Sequence, residues 1–398
     1  MIRKLFPILG ITFIDIVGFS MLLPLLPYFV VHFPGTSAFL VGILASTFSI
    51  CSFISGPIWG NASDRIGRKM VLIISQIGAT IGWVMLAFAP NMLVVFIARI
   101  IEGSSGGNIG VTQAYVADLC EPHERAKAFG YIMATFSAAM VFGPAGGGLL
   151  YAKYGFAAPF LAAAALQLLT LIVTIVFLPE SRSKQEEEEA HVGYREIFAS
   201  LGNPRLSPIL LQKLALSLAL YGWYVAIALY LKGQLGSDLV QTTQFFSGFA
   251  IVNVFVNGFG VGRTSEKIGD ARMAIVGLVL LVAAFACTPF VHTYIGFAGM
   301  MALFAFGGAF AQNGINAMIS NAATAREQGT VLGVGSSLDS LSGIIAPPVS
   351  TGILTVYGSA YAGIASLVMA AISLTLGVRN TLAHPPVAND AEPIQEPS

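Results

Sequence analysis

Twelve apolar stretches, each long enough to cross a bilayer as a helix, divide this chain of 398 residues. A helix rises about 1.5 Å per residue, so about 20 apolar residues span a hydrocarbon layer about 30 Å thick. Such windows fall at roughly 5–30, 38–60, 70–89, 92–117, 128–150, 156–178, 206–231, 241–262, 273–291, 294–322, 328–355 and 358–378. The narrowest division lies between spans nine and ten, where Pro289-Phe290-Val291-His292 is the only break. Composition removes the alternatives. Charged residues make up 10% of the chain and mean hydropathy is +0.78, whereas a soluble domain carries about 25% charge and a disordered one is polar. The expected fold class is therefore an all-α polytopic membrane protein, with twelve transmembrane helices in two six-helix pseudo-symmetric bundles. The N-terminal stretch lacks a small-residue cleavage site and reads as a retained first span.

The few charges are informative. Only Asp15, Arg99, Glu102, Lys213 and Asp339 fall inside the windows. With the N-terminus inside, sixteen of the 20 Lys and Arg residues lie in inner segments, and only Lys153 and Lys232 lie in outer loops. This is the positive-inside pattern; it puts both termini in the cytoplasm and implies a bacterial inner membrane. The polar stretch 179–205, with its EEEE run, reads as a cytoplasmic linker between bundles at 1–178 and 206–379. The tail 380–398 reads as a disordered cytoplasmic tail. The acid run reads as a solvated face.

The halves repeat at an offset of about 202 residues. Gly60-Asn-Ala-Ser-Asp64-Arg65-Ile66-Gly67 after span two matches Gly262-Arg-Thr-Ser-Glu266-Lys267-Ile268-Gly269 after span eight. Glu124…Gly130 and Pro144 correspond to Glu327…Gly333 and Pro347. Parallel repeats of six spans favour a transporter whose site lies between the halves.

The sequence resembles the major facilitator superfamily along essentially its whole length, in the branch of twelve-span drug/proton antiporters that includes the tetracycline and multidrug carriers. Gly60 to Lys69 resembles the superfamily's loop signature between spans two and three. Ile97-Ala-Arg99-Ile-Ile-Glu102-Gly103 resembles its span-four motif, and Gly143-Pro144-Ala-Gly146-Gly147-Gly148 its span-five antiporter motif. Asp15 to Pro27 resembles the first span of the antiporters.

Each motif has a physical reading. In the 60–69 segment two glycines permit a tight turn, and Asp64 can accept from free N–H groups at a helix start. The resemblance implies that this helix is span eleven, so that Gly60, Asp64, Arg65, Gly67, Arg68 and Lys69 form a cytoplasmic gate. Arg65, Arg68 and Lys69 can also bind Asp118 or lipid phosphate. Gly143, Pro144 and Gly147 place a kink and close helix contact inside span five.

Charge within a bilayer is a functional signal by default. By helix rise Asp15, Glu102 and Asp339 all lie about 15 Å deep. Desolvation penalises a charged carboxylate, so protonation becomes accessible there. Asp15 resembles an acid of the tetracycline antiporters and Arg99 their span-four arginine, so the resemblance implies Asp15 as the leading proton-coupling acid with Arg99 its charge partner. Glu102 is the second candidate, at a position more usually uncharged in the family; it lies three residues from Arg99, so the two can pair. Asp339 is the third candidate. The tetracycline carriers' span-three acid has no counterpart in Gly78 to Trp83, and span nine has no acid, so the resemblance does not extend to tetracycline as substrate.

Polar candidates for the substrate cavity are Asn108 and Gln113 on span four, Gln212, Lys213, Tyr221 and Tyr224 on span seven, Asn253 and Asn257 on span eight, and Gln312, Asn313 and Asn316 on span ten. Aromatic groups with scattered amides suit an amphiphilic ligand, although interhelical hydrogen bonding accounts equally well for any single amide.

The expectation is proton-coupled efflux of amphiphilic small molecules by alternating access, driven by the proton gradient without cofactor. The expected partners are the small molecule, protons and lipid, around a monomer. A proton symporter or facilitator importing a sugar, organic acid or other metabolite is the alternative. Equal numbers of acids and bases argue against nucleic acid. No GxxxxGK[ST] loop is present, which argues against ATP hydrolysis. The five scattered histidines and the cysteines Cys51, Cys120 and Cys287 show no metal spacing, so no metal site and no enzyme is expected.

Overall fold

The computed structural model describes residues 2–106, 108–120, 124–181, 203–322 and 328–383. The acid run of the linker, Glu327 and the tail from 384 onward lie outside the described residues.

Twelve helical spans cross the molecule: α1 (Leu5–Val30), α2 (Ala38–Ile66), α3 (Arg68–Ala87), α4 (Met92–Val116), α5 (Gly130–Tyr154), α6 (Ala157–Phe177), α7 (Ser207–Leu235), α8 (Leu239–Ile268), α9 (Asp270–Phe290), α10 (Tyr294–Ala322), α11 (Gly333–Tyr357) and α12 (Ser359–Leu382). Lipid offers backbone groups no hydrogen bonds, which enforces helix throughout. The ends are set locally. Asn91 caps α4 by accepting from the N–H of Val94 at 3.1 Å. Asp238 and Gln241 form a reciprocal capping box at the start of α8. The division between α9 and α10 falls at Thr288–Phe290, a short 3₁₀ turn at the expected Pro289.

Two boundaries differ from expectation. The segment Gly60 to Ile66 is the last part of α2, not a loop, so Gly60 makes no turn. Gly67 alone does so, at φ +99°, where a side chain would be strained. The second half behaves identically: Gly262–Ile268 is helical and Gly269 turns the chain at φ +79°. Polar residues at the end of an apolar helix protrude into the headgroup region and need no turn, which is why hydropathy ends both spans too early.

Within the first half, α1 packs on α5 and α6, α3 on α4 and α6, and α2 on α4. Within the second, α7 packs on α11 and α12, and α9 on α10 and α12. The halves meet through α2 with α11 and α5 with α8. The contacts are tight because small residues line them. A methyl on Gly42 would lie 2.6 Å from the carbonyl oxygen of Pro347. Ser46 donates to the carbonyl of Ile344 at 2.6 Å. Gly148 leaves room for Thr243. Tyr28 adds a polar tie, its hydroxyl lying 2.8 Å from the Ser237 carbonyl and 2.7 Å from the Thr242 hydroxyl. All these contacts lie in the part of the bundle remote from the basic segments. Toward the basic end Gly56, Gly130, Gly258 and Gly335 meet no neighbouring atom where a side chain would begin. Among the described residues, such tight contacts between the halves occur at the end remote from the basic segments.

The closed end makes a testable statement. In a protein whose native cysteines are serine, Ser46→Cys is protected from water-soluble thiol reagents, because Ser46 is buried between the halves. Adding Gly42→Ala inserts a methyl against Pro347 at a cost of about 1–3 kcal/mol. Labelling of Cys at 46 is then expected to accelerate about tenfold; an unchanged rate means the α2–α11 contact does not hold this end shut.

Candidate functional site

At the basic end of the first half, the residues around Gly67 form a clamp. Arg68 lies 2.8 Å from Asp64 and 3.4 Å from Asp118, and donates to Ser63 at 2.5 Å. Ser181 donates to Asp118 at 2.9 Å. The Glu180 carboxylate accepts from the backbone N–H groups of Arg68 (2.9 Å) and Lys69 (3.2 Å), capping α3 as an acid at a helix N-terminus should. A methyl on Gly67 would strike that carboxylate. Lys69 donates to the Ile175 carbonyl at 2.8 Å, and Arg65 remains exposed. Asp64 therefore bonds within its own half in this state. Residues 323–327, leading into α11, lie outside the described residues.

The second half reproduces this clamp without its cation. Asp270 stands where the repeat places Arg68. It accepts from Ser265, as Arg68 meets Ser63, and from Asn321 at 3.5 Å, as Arg68 meets Asp118. The geometry is shared and the charge is not.

Inside the bundle the five charges separate into two pairs and one acid. Arg99 and Glu102 pair at 2.5 Å, both buried, with the guanidinium 4.4 Å from the Phe48 ring. Lys213 pairs with Asp339 at 3.0 Å, and Ser217 donates to the same carboxylate at 2.5 Å. Lys213 is 3% exposed at its side chain and Asp339 24%, so the acid is the accessible member. Asp15 contacts Thr170 on α6 at 3.4 Å instead of Arg99. The pairing of Asp15 with Arg99 is thus corrected for this state: α1 turns Asp15 toward α6, while Arg99 is held on α4 by Glu102 one turn away.

The polar candidates scatter. Gln212 is wholly buried toward α12, where Ser373 donates to its carbonyl at 2.9 Å, and it does not face the space between the halves. Tyr221 is 38% exposed, beside Gly343 of α11. Tyr224 packs on Phe249 and Phe304. Together with Leu23 and Pro144 these line a gap of about 20 Å³ between the halves, room for about one water. Asn313 donates to Asn257 at 2.9 Å, and Asn257 to Asn253 at 2.5 Å, a ladder tying α10 to α8 across a π-helical turn, Val256–Val261. Gln113 and Gln312 are exposed, and Asn316 is half-buried. The side chain of Asn108 lies outside the described residues. Gly143 and Gly147 abut α1 at Val17 and Leu25, and α5 runs unbroken through Pro144. Among the described residues no group of His, Cys, Asp or Glu forms a metal site.

Sequence reasoning missed Tyr28, Thr170, Ser217 and Glu180. Only Glu180 carried a signal: an acid following Pro179 directly after an apolar span.

Comparison with known proteins gives concordant results. The model of the Major Facilitator Superfamily matches residues 8–347 and 218–396. The class C tetracycline resistance protein of Escherichia coli is 30% identical over 389 residues, covering 94% of this chain and 95% of that protein. The multidrug resistance protein MdtG of Salmonella schwarzengrund (strain CVM19633) is 29% identical over 286 residues, covering 69% of this chain and 70% of that protein. The crystal structure of nucleoside transporter NupG superposes with a TM-score of 0.78 at 14% identity, covering 96% of this chain and 100% of that one. At that identity it speaks to fold alone.

The buried pair on α4 makes a prediction. Glu102→Gln leaves Arg99 uncompensated and is expected to cost about 3–5 kcal/mol, whereas replacing both residues by methionine costs far less. Thermal unfolding in detergent checks this; equal losses in the single and double variants would show that the two charges do not depend on each other.

Proposed function

Because the chain belongs to the Major Facilitator Superfamily and is a transporter rather than an enzyme, we propose that it exports amphiphilic small molecules in exchange for protons, by alternating access. The observation that carries this reading is the sorting of the intramembrane charges. Four neutralise one another in two pairs, and Asp15 stands beside hydroxyl and amide groups with no cation within 4 Å among the described residues. An acid so placed can exist charged or neutral without disturbing an ion pair, as a proton carrier must. The names of the tetracycline and multidrug resistance relatives support export of drug-like molecules.

The basic end is read as cytoplasmic, so the state described is open inward and sealed outward. The gap of about 20 Å³ near Tyr224 is too small for a drug. Substrate therefore enters nearer the cytoplasm, where Tyr221 is exposed and Asp339 partly so. Outward opening breaks the small-residue contacts of α2 with α11 and α5 with α8. Closure at the inner side brings Asp64 from its pairing with Arg68 toward the start of α11. No cofactor takes part; the proton gradient drives the cycle in a monomer surrounded by lipid.

The test is transport in proteoliposomes with an imposed pH gradient. Amphiphilic dyes are expected to move against the proton. Asp15→Asn is expected to abolish coupled transport, and Asp64→Asn to slow exchange by about tenfold or more while leaving substrate affinity unchanged. Dye moving with the proton would replace export by symport, and full coupling in Asp15→Asn would remove Asp15 from the mechanism.

A further inference from the structure

Asp15 is held inside the first half by close approach of α1, α3 and α6. Gly18 marks this approach: a methyl there would be in ordinary contact with Ala163 at 3.7 Å and Trp83 at 3.8 Å. One turn nearer the basic end, the same approach sets Asp15 against α6. Its polar side-chain neighbours are Thr170 and Gln167. Thr170 is wholly buried and Gln167 is 5% exposed.

The proton inventory of Thr170 is the informative detail. Its hydroxyl has one hydrogen. The hydroxyl is within donating distance of two acceptors, the backbone carbonyl of Gln167 at 2.8 Å and an Asp15 oxygen at 3.4 Å. One hydrogen serves one acceptor well, and the shorter contact to Gln167 leaves lone pairs toward Asp15. A carboxylate has only lone pairs to offer in return, and two acceptors facing each other at this half-buried contact are unfavourable. A carboxylic acid resolves this by donating its O–H to Thr170 while its carbonyl oxygen accepts from the Gln167 amide.

Among the described residues no charged side chain pairs with this acid. Helix α6 has none, and α5 has only Lys153, at its far end. Arg68 and Lys69 of α3, Asp64 and Arg65 of α2, and Arg263, Glu266 and Lys267 of α8 stand at the basic end. Arg99 of α4 is paired with Glu102, Lys213 of α7 with Asp339, and Lys232 of α7 lies over the Tyr28 ring at the far end. The remaining titratable groups on these helices are Cys51 and the tyrosines at 28, 115, 131, 151, 154, 221, 224 and 230. Among the described residues, the side chains that hydrogen-bond to Asp15 are Gln167 and Thr170.

We propose that Thr170 is a positioning residue that receives the proton-bearing form of Asp15, so that the proton-loaded carrier has α1 tied to α6 and the unloaded carrier does not. This rests on the reading of Asp15 as the coupling acid. Protonation is thereby converted into a choice of contacts within the first half, separate from the place near Tyr221 and Asp339 where substrate enters.

Infrared difference spectra of the full-length protein in lipid, recorded between acid and alkaline pH, test it. The C=O band of protonated Asp15 is identified by its loss in Asp15→Asn. In Thr170→Val, which keeps the shape and removes the acceptor, that band is expected to move to higher frequency. The pH at which it is half lost is expected to fall by about one unit. Thr170→Ser is expected to restore both. A midpoint that rises in Thr170→Val would mean that the hydroxyl donates to the carboxylate, and would overturn the proposal. An unmoved band, or no Asp15 band at any pH, would overturn it as well. Coupled transport in proteoliposomes separates the two levels. Loss of coupling in Asp15→Asn with no effect of Thr170→Val refutes the role of Thr170 alone; full coupling in Asp15→Asn refutes the reading beneath it.

Discussion

Everything in this molecule follows from the absence of water around its middle. Backbone groups in a hydrocarbon layer must bond to one another, so the chain is helical wherever it crosses. Charges there must find partners or give up their charge. Apolar side chains gain nothing by preferring one another over lipid, so contact between helices depends on shape. Gly42, Ser46, Gly148 and Thr243 hold the two halves together because they let backbones approach, not because they are hydrophobic.

The repeat shows how one scaffold is adapted to two jobs. At the sealed end the glycine and the hydroxyl exchange places: Gly42 of α2 meets Thr351 of α11, while Gly148 of α5 meets Thr243 of α8. Packing is conserved under that exchange because one partner is small in each case. At the basic end the exchange alters charge instead. Arg68 gathers Asp64 and Asp118, whereas Asp270 in the same position accepts from Ser265 and Asn321. Among the described residues only the first half therefore has an ionic clamp, and the first residues of the linker, Glu180 and Ser181, are docked on it. The proposed coupling acid lies in that same half, and Asp339, in the second half, is partly accessible. On the proposed reading, this asymmetry of charge on a symmetric frame lets proton and substrate be handled by different halves.

Much of this was legible in the residues. Span number and position, the repeat, and the list of five intramembrane charges follow from hydropathy and spacing. Partnerships were legible only where they are local. Arg99 and Glu102 are three residues apart on one helix, and spacing alone allows their pairing. Lys213 and Asp339 are 126 residues apart, and Asp15 and Thr170 are 155 apart. No pattern along the chain announces either contact. The amides show the same limit: Gln212 looks like a cavity residue by its helix, yet its rotation about that helix buries it against α12.

The sequence by itself determined that this chain lies in a membrane, how often it crosses, which end is basic, and which charges enter the bilayer. Those are properties of composition and one-dimensional spacing, because transfer into lipid is scored residue by residue. Tertiary structure alone decided which end is closed, that Asp15 turns toward Thr170 while Arg99 stays with Glu102, and that Glu102 is buried where Asp339 is partly accessible. Those depend on helix rotation and on approach distances of a few ångströms, which small residues far apart in the chain set jointly.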